Sequence, residues 1–255
     1  MIKTALLDAG IFHISLNRPE QLNALSIEVL QQLSSIFQQI KLDKSILAVL
    51  LTGEGKVFCA GADIKQLACV RHDGLDFAHL GQRVFRELEL LGKPSLAAIH
   101  GVAFGGGCEL AMSASMRIAA QQTVFGQPEI KLGIIPGFGG TQRLSRLIGK
   151  GRAIELCLTG RRFSVEEAFQ WGLVNEIVAP DQLIERGINL LKTITPFSTM
   201  ASRSILTVIH QGYDLALEEA NELEAAYFAL CCAAPDKQEG VNAFLEKRTP
   251  VFNRE

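Results

Sequence analysis

Apolar positions along the chain fall into two rhythms. In the first, short unbroken runs are closed by turn residues. Ile11–Leu16 is such a run, broken by Asn17, Arg18 and Pro19, and it reads as a strand. Ile46–Thr52, closed by Gly53, Glu54 and Gly55, reads as a buried strand, and so does Ser95–Ile99 ahead of Gly101. In the second rhythm the spacing is helical: from Ser26 to Ile40 apolar residues occupy 27, 29, 30, 33, 36, 37 and 40. A further helix is expected from Cys108 to about Met116, directly after Gly105, Gly106 and Gly107. Strands alternating with helices predict an α/β layer architecture.

Later the pattern turns helical. Ser164 and Glu167 have capping-box spacing and open a helix expected to end near Gly172. Pro180 and Asp181 start another, and Asp236 to Glu239 resembles a cap before a helix over Val241–Arg248. Strand signal is scarce from Pro196 onward, and no internal repeat, low-complexity stretch or linker interrupts the chain. The simplest division is a core with the catalytic site over 1–195 and a helical C-terminal region over 196–255.

Composition narrows the functional classes. The 255 residues carry 25 Lys plus Arg against 27 Asp plus Glu, a net charge of −2, too balanced for binding nucleic acid by bulk electrostatics. No apolar run approaches the roughly 18 residues of a membrane span. Strand-like sequence begins directly after Met1, so no signal or transit peptide is expected. The six cysteines form no C-x-x-C pair and the five histidines no H-E-x-x-H, which fits reduced thiols in a cytoplasmic protein and no metal.

Three segments combine dense glycine with acids. They are Phe58–Lys65, His100–Leu110, and Phe125–Ile130 with its continuation to Thr141. In the second, a strand runs through three glycines into a helix. The first turn of a helix has unpaired N–H groups and the positive dipole end, so an N–H near Gly106 can donate to an oxyanion, with Glu109 close by. The plainer alternative is tight helix–strand packing with Glu109 as a surface acid. A free N–H at Ala62 is a second candidate donor, and the alternative there is an ordinary turn with Asp63 as N-cap. Glu129 follows Pro128, which keeps Gln127 out of helix. Around one pocket, Glu109 and Glu129 could divide general-acid and general-base roles.

These segments resemble the enoyl-CoA hydratase/isomerase (crotonase) family. The resemblance runs from Asn17–Leu25 through Ala60–Lys65, Gly105–Leu110, Phe125–Glu129, Pro136–Leu144 and Ala168–Asn175 to Glu239 and Phe244–Arg248. It implies a spiral of ββα units with a helical C-terminal trimerisation region, a homohexamer (a dimer of trimers) and an acyl-CoA thioester substrate. It matches Ala62 and Gly106 to the amides that hold the thioester oxygen, and Gly137 to a backbone position near the catalytic water. Glutamate at both acid positions implies hydration of a 2-trans-enoyl-CoA to 3-hydroxyacyl-CoA. Glu109 would activate water for attack at C3, and Glu129 would deliver a proton to C2. No metal or redox cofactor is implied, CoA being part of the substrate.

The resemblance also places Leu22, Ala24, Ala60, Ala62, Asp63, Ile64, Lys65 and Gly106 along the CoA path. Phe228 and Lys247 would reach CoA from a neighbouring subunit. Plain core packing for Phe228 and a solvated cation for Lys247 are the alternatives. With a net charge near zero, the anionic CoA must be held locally, by Lys65, Lys247 and backbone amides.

Three positions depart from the family pattern. Ser115 stands where many relatives have Asp, and His100 where Asn is frequent. Phe104 is larger than a common Leu and bears on acyl-chain length. A Δ3-Δ2-enoyl-CoA isomerase or another crotonase-type activity is the first rival reading, disfavoured by the two glutamates. A non-catalytic RNA-binding role is disfavoured by charge, and a glycosidase pair by only one Trp and two Tyr.

Overall fold

The computed structural model describes residues 1–253. In chain order its strands are β1 (Ile2–Leu6), β2 (Ile11–Leu16), β3 (Ala48–Gly53), β4 (Ser95–Ile99), β5 (Val102–Phe104), β6 (Met116–Ala120), β7 (Val124–Gly126), β8 (Arg162–Ser164) and β9 (Glu176–Val178). The helices are α1 (Ile27–Leu42), α2 (Ile64–Leu67), α3 (Gly74–Glu89), α4 (Gly106–Ser113), α5 (Gly140–Ile148), α6 (Lys150–Thr159), α7 (Val165–Gln170), α8 (Leu183–Lys192), α9 (Thr199–Gly212), α10 (Leu217–Ala233) and α11 (Pro235–Glu246).

The larger sheet has the order β1-β2-β3-β4-β6-β9, and only its first pair is antiparallel. The smaller sheet, β5-β7-β8, stands apart from it. Successive strands alternate between the two sheets: β4 then β5, β6 then β7. Each such turn ends in helical structure, α4 after β5, and a 3-10 turn (Pro128–Leu132) with α5 after β7. This is the expected ββα spiral. An earlier turn meets the smaller sheet through a single bridge, Cys59 to Ala103, and Ala62 forms a separate bridge to Leu25.

The parallel sheet is buried on both faces, which is why its strands read as unbroken apolar runs. Val49, Leu51, Ala97 and Ile99 face the cluster that includes Leu33, Phe37, Val84 and Phe85 of α1 and α3. Their neighbours Leu50, Leu96 and Ala98 face the opposite cluster with Leu183 and Leu191 of α8. The period-2 alternation of a strand thus serves two helical layers at once.

Several expected boundaries move. β2 and β4 coincide with the sequence reading, and Ser26 caps α1 by accepting from Val29 N at 3.3 Å. The expected helix from Cys108 instead begins at Gly106 and ends at Ser113, because Ala114 turns extended and Met116 already pairs with Leu96 in β6. The last helix begins at Pro235 rather than Val241, so Asp236 lies in its first turn and is not its cap. From Thr199 the helices α9, α10 and α11 follow one another, and positions 254 and 255 of the expected C-terminal region lie outside the described residues. No helix among the described residues is long and apolar enough to cross a membrane.

Two of the departures have local explanations. Ser115 exchanges hydrogen bonds with Ser95, Oγ to Oγ at 3.1 Å and N to Oγ at 2.9 Å, so the pair ties β4 to the start of β6. His100 Nε2 lies 3.0 Å from Gly55 O, a hydrogen bond between two loops. The capping box is complete: Glu167 N donates to Ser164 Oγ at 3.2 Å, and Ser164 N donates to Glu167 Oε2 at 2.9 Å. Ser164→Ala should therefore lower stability by about 1 kcal/mol. A thermal melt should show this as a Tm drop of roughly 2–4 °C; an unchanged Tm would mean that the cap contributes nothing.

Candidate active site

Strand pairing brings the two acids together. β5 and β7 run parallel with Phe104 opposite Gly126, and Gly105 N donates to Gly126 O at 2.9 Å. The chain leaves β5 into the first turn of α4, which carries Glu109, and leaves β7 into the 3-10 turn that carries Glu129. Both carboxyls therefore project from the same end of one parallel pair. Neighbouring segments far apart in sequence then complete the site.

Glu109 is 1% exposed, so it is not the surface acid of the plainer reading. Its Oε1 accepts from Phe138 N at 2.8 Å and from Gly140 N at 2.6 Å, at the start of α5. Both bonds fall on one oxygen and leave Oε2 free of these donors. Gly140 makes the approach possible: a Cβ there would stand 2.8 Å from Glu109 Oε1. Burial, and then the charge of Glu129, push the Glu109 carboxyl up to about 8, while the two amides pull the other way.

Glu129 follows Pro128, and Gln127 is held out of helix as expected (φ −121°, ψ 79°). Its carboxyl packs against Gly105, where a Cβ would stand 2.5 Å from Oε1. Gln127 is fully buried, and with its amide nitrogen turned to the carboxylate it donates to both oxygens at 3.2 Å. Burial pushes Glu129 up to about 7. Two carboxyls raised into the neutral range beside one another are suited to proton transfer at neutral pH.

The third component is a pair of amides. Leu25 N donates to Gly61 O at 2.8 Å and Asp63 N to Leu25 O at 2.9 Å, a parallel bridge that turns Ala62 N away from its own ladder. Gly106 N is the first amide of α4. Neither amide has a hydrogen-bond partner among the described residues. The two residues lie close together, since a Cβ on Gly106 would stand 3.3 Å from Ala62 N. Two free donors at this spacing can share one carbonyl oxygen.

The remaining expected residues divide in two. Ala60 N donates to Leu22 O at 3.0 Å and Arg18 Nη1 to Ala24 O at 2.6 Å, so Leu22 and Ala24 line up with the Ala62 segment. Asp63 caps the four-residue α2 by accepting from Lys65 N at 3.1 Å, and the side chains of Ile64 and Lys65 are exposed. Gly137 lies in the turn that also supplies Phe138 N and Gly140 N. Phe104 is half-buried, with the Arg162 guanidinium 5.1 Å from its ring centre. Phe228 on α10 and Lys247 just after α11 are exposed, and no hydrogen bond among the described residues joins either to the site.

Some contributors were not anticipated. Arg18 pairs with Asp63 at 3.1 Å, and buried Asn23 donates to Glu54 O and Val57 O, both at 2.8 Å. Both residues lie within Asn17–Leu25, and their long-range partners are what sequence could not supply. Among the described residues no group of three or more His, Cys, Asp or Glu is arranged to hold a metal ion.

Fold and chemistry together place the chain among crotonase-fold enzymes. Residues 7–255 match the family described as Enoyl-CoA hydratase/isomerase. The short-chain-enoyl-CoA hydratase of Clostridium acetobutylicum is 42% identical over 237 residues, covering 92% of this chain and 91% of that protein. The crotonyl-CoA hydratase of Syntrophomonas wolfei is 42% identical over 241 residues, covering 93% and 92%. The crystal structure of an enoyl-CoA hydratase from Bacillus anthracis superposes with a TM-score of 0.96 at 39% identity, covering 100% of this chain and 99% of that one. The chain belongs to the enoyl-CoA hydratase/isomerase family.

Proposed function

We propose that this protein is an enoyl-CoA hydratase, adding water across the 2-trans double bond of an enoyl-CoA thioester to give 3-hydroxyacyl-CoA. The observation that carries the reading is one buried and one half-buried carboxyl, both raised into the neutral range, beside two unpartnered amides. The names of the 42% identical relatives point the same way.

In this reading Ala62 N and Gly106 N hold the thioester oxygen and take up the enolate charge. Glu109 acts as the base: in its carboxylate form, which the two backbone donors favour against burial, it accepts a proton from the water that attacks C3. Glu129, protonated, delivers its proton to C2. The Gly137 backbone lies beside the water. The balance is complete without a cofactor: a hydroxyl is added at C3, a hydrogen at C2, and the pair of acids ends with one proton as it began. Leu22, Ala24, Ala60, Asp63, Ile64 and Lys65 line the CoA path, with Phe228 and Lys247 contributed by a neighbouring subunit.

The core over 1–195 carries the chemistry, and the helical region over 196–255 makes trimer contacts, two trimers forming the hexamer. α10 supports this: none of its 17 residues is buried in the single chain, although it carries Leu217, Phe228 and Leu230. We place the protein in the cytoplasm, with its thiols reduced.

One assay separates the rival activities. Crotonyl-CoA should lose its enoyl-thioester absorbance on addition of the protein, and a 3-enoyl-CoA should be turned over far more slowly. Turnover of the 3-enoyl-CoA alone would make the protein an isomerase. RNA binding without any turnover would replace the enzyme reading altogether.

The working state holds one proton on the pair. Acid protonates the base and alkali strips the acid, so kcat/KM should be bell-shaped, with limbs on either side of the range from about 7 to about 8. A profile that stays flat through neutral pH would contradict the paired mechanism.

A further inference from the structure

Glu109 is held by a turn, and the turn is itself held from its other side. Phe138 N and Gly140 N point inward to the Glu109 carboxylate. The carbonyl of Phe138 points outward, where Arg143 Nη1 donates to it at 2.8 Å. Arg143 is the fourth residue of α5, so it reaches back over the first turn of its own helix. Its Nε donates to Glu89 Oε1 of α3 at 2.5 Å, and the two side chains are only 15% and 11% exposed. Burial acts against a charge on Glu89, yet the guanidinium of Arg143 holds its carboxyl below the usual range, with Arg86 helping. One guanidinium thus bridges α3 to the turn. A second side chain of α3 also grips it: Gln82 Nε2 donates to Gly137 O at 2.9 Å.

Two consecutive glycines make the arrangement possible. Gly139 has φ +102°, and a Cβ there would collide with Arg143 Nη1. Gly140 leaves the space that Glu109 Oε1 occupies. The backbone is bare on one side for the guanidinium and on the other for the carboxylate. Packing alone does not require such a two-sided gap.

We propose that Arg143, anchored by Glu89, is a positioning residue for Glu109: it fixes the Phe138–Gly140 amides and so sets the direction in which the carboxylate presents Oε2. The proposal rests on the hydratase reading for its kinetic consequence but not for its geometry. Arg143 touches no reacting atom. Losing it frees the turn, and a displacement of about 1 Å at a reacting group can cost roughly 10²-fold in rate.

The test compares Arg143→Met and Arg143→Lys with the parent enzyme on crotonyl-CoA, together with a carbon-13 NMR titration of the Glu109 carboxyl. Arg143→Met should lower kcat by roughly 10–10²-fold, with KM changed by less than about threefold. The Glu109 titration should move to higher pH, because a nearby positive charge that favours its ionised form is gone. Arg143→Lys keeps the charge but cannot grip both partners in the same fork, so its titration should stay near the parent's while kcat still falls. Folded Arg143→Met with parental kcat, or with an unmoved Glu109 titration, overturns the proposal.

If Arg143→Met does not fold, Glu89→Gln leaves Arg143 in place and only loosens its anchor. A kcat loss of about tenfold at unchanged KM then supports the positioning role, and parental kcat overturns it. If the parent protein hydrates no enoyl-CoA, the functional reading fails by itself, and the titration still decides the role of Arg143.

Discussion

Glu109→Gln should lower kcat for crotonyl-CoA hydration by about 10²–10⁴-fold while KM stays nearly constant. Gln has the same shape, and its carbonyl oxygen can still accept from Phe138 N and Gly140 N. What it loses is the ability to take a proton from water. Glu129→Gln should lose a similar factor for the opposite reason, since an amide has no acidic proton to deliver to C2. The two effects should not multiply in the double variant, because one proton inventory is shared between the acids. Either single variant retaining activity within a factor of about two would remove the paired-acid mechanism.

The same substitutions have a stability consequence of known sign. Glu109 is raised from an ordinary 4.5 to about 8 in the folded chain. Its protonated form is therefore the better tolerated one. The stability associated with that form is fully present below the unfolded value and lost as pH rises through the folded value. Above that window the parent buries a charge that Glu109→Gln does not. A series of melts should show the variant gaining Tm relative to the parent as pH rises from about 4.5 to about 8. A constant difference across that window would mean that Glu109 is not the group being titrated.

Gly105→Ala should be nearly as damaging to rate and more damaging to stability. Gly105 has φ +48°, a conformation that costs a residue with a Cβ about 1–3 kcal/mol. The new methyl would also stand 2.5 Å from Glu129 Oε1, so the carboxyl must leave its position beside Gln127. The expectation is a kcat loss of about 10²-fold with a Tm several degrees lower. Gly151→Ala is the matched control. It lies in α6 with nothing within 4 Å of its Cβ position, so it should retain activity and slightly raise stability. Equal behaviour of the two variants would show that Gly105 has no special relation to Glu129.

Much of this was legible in the sequence, because the signals are local. An unbroken apolar run closed by Asn17, Arg18 and Pro19 has few alternatives to a strand, and β2 occupies it from end to end. Glycines leading into a helix imply free amides, so Gly106 and Glu109 could be singled out from elementary helix properties. The boundaries of α4 were less legible, since glycine lowers helix propensity yet here forms the first turn. Ala62 was weak by itself because its freedom depends on a bridge to Leu25, a partner that no local pattern reveals. The meeting of Glu109 with Glu129 depends on the register of β5 against β7. The Arg143–Glu89 anchor joins residues 54 positions apart, beyond the reach of spacing arguments.

Hydration of an enoyl thioester by two glutamates and two amides leaves an isotopic mark on the product. The most direct measurement mixes the parent protein with crotonyl-CoA in isotopically labelled water and follows the product by mass spectrometry. The product should be 3-hydroxybutyryl-CoA carrying the labelled oxygen at C3, formed by the parent and almost abolished in Glu109→Gln and Glu129→Gln. Unaltered crotonyl-CoA with the parent protein, or equal labelling by all three proteins, would contradict it.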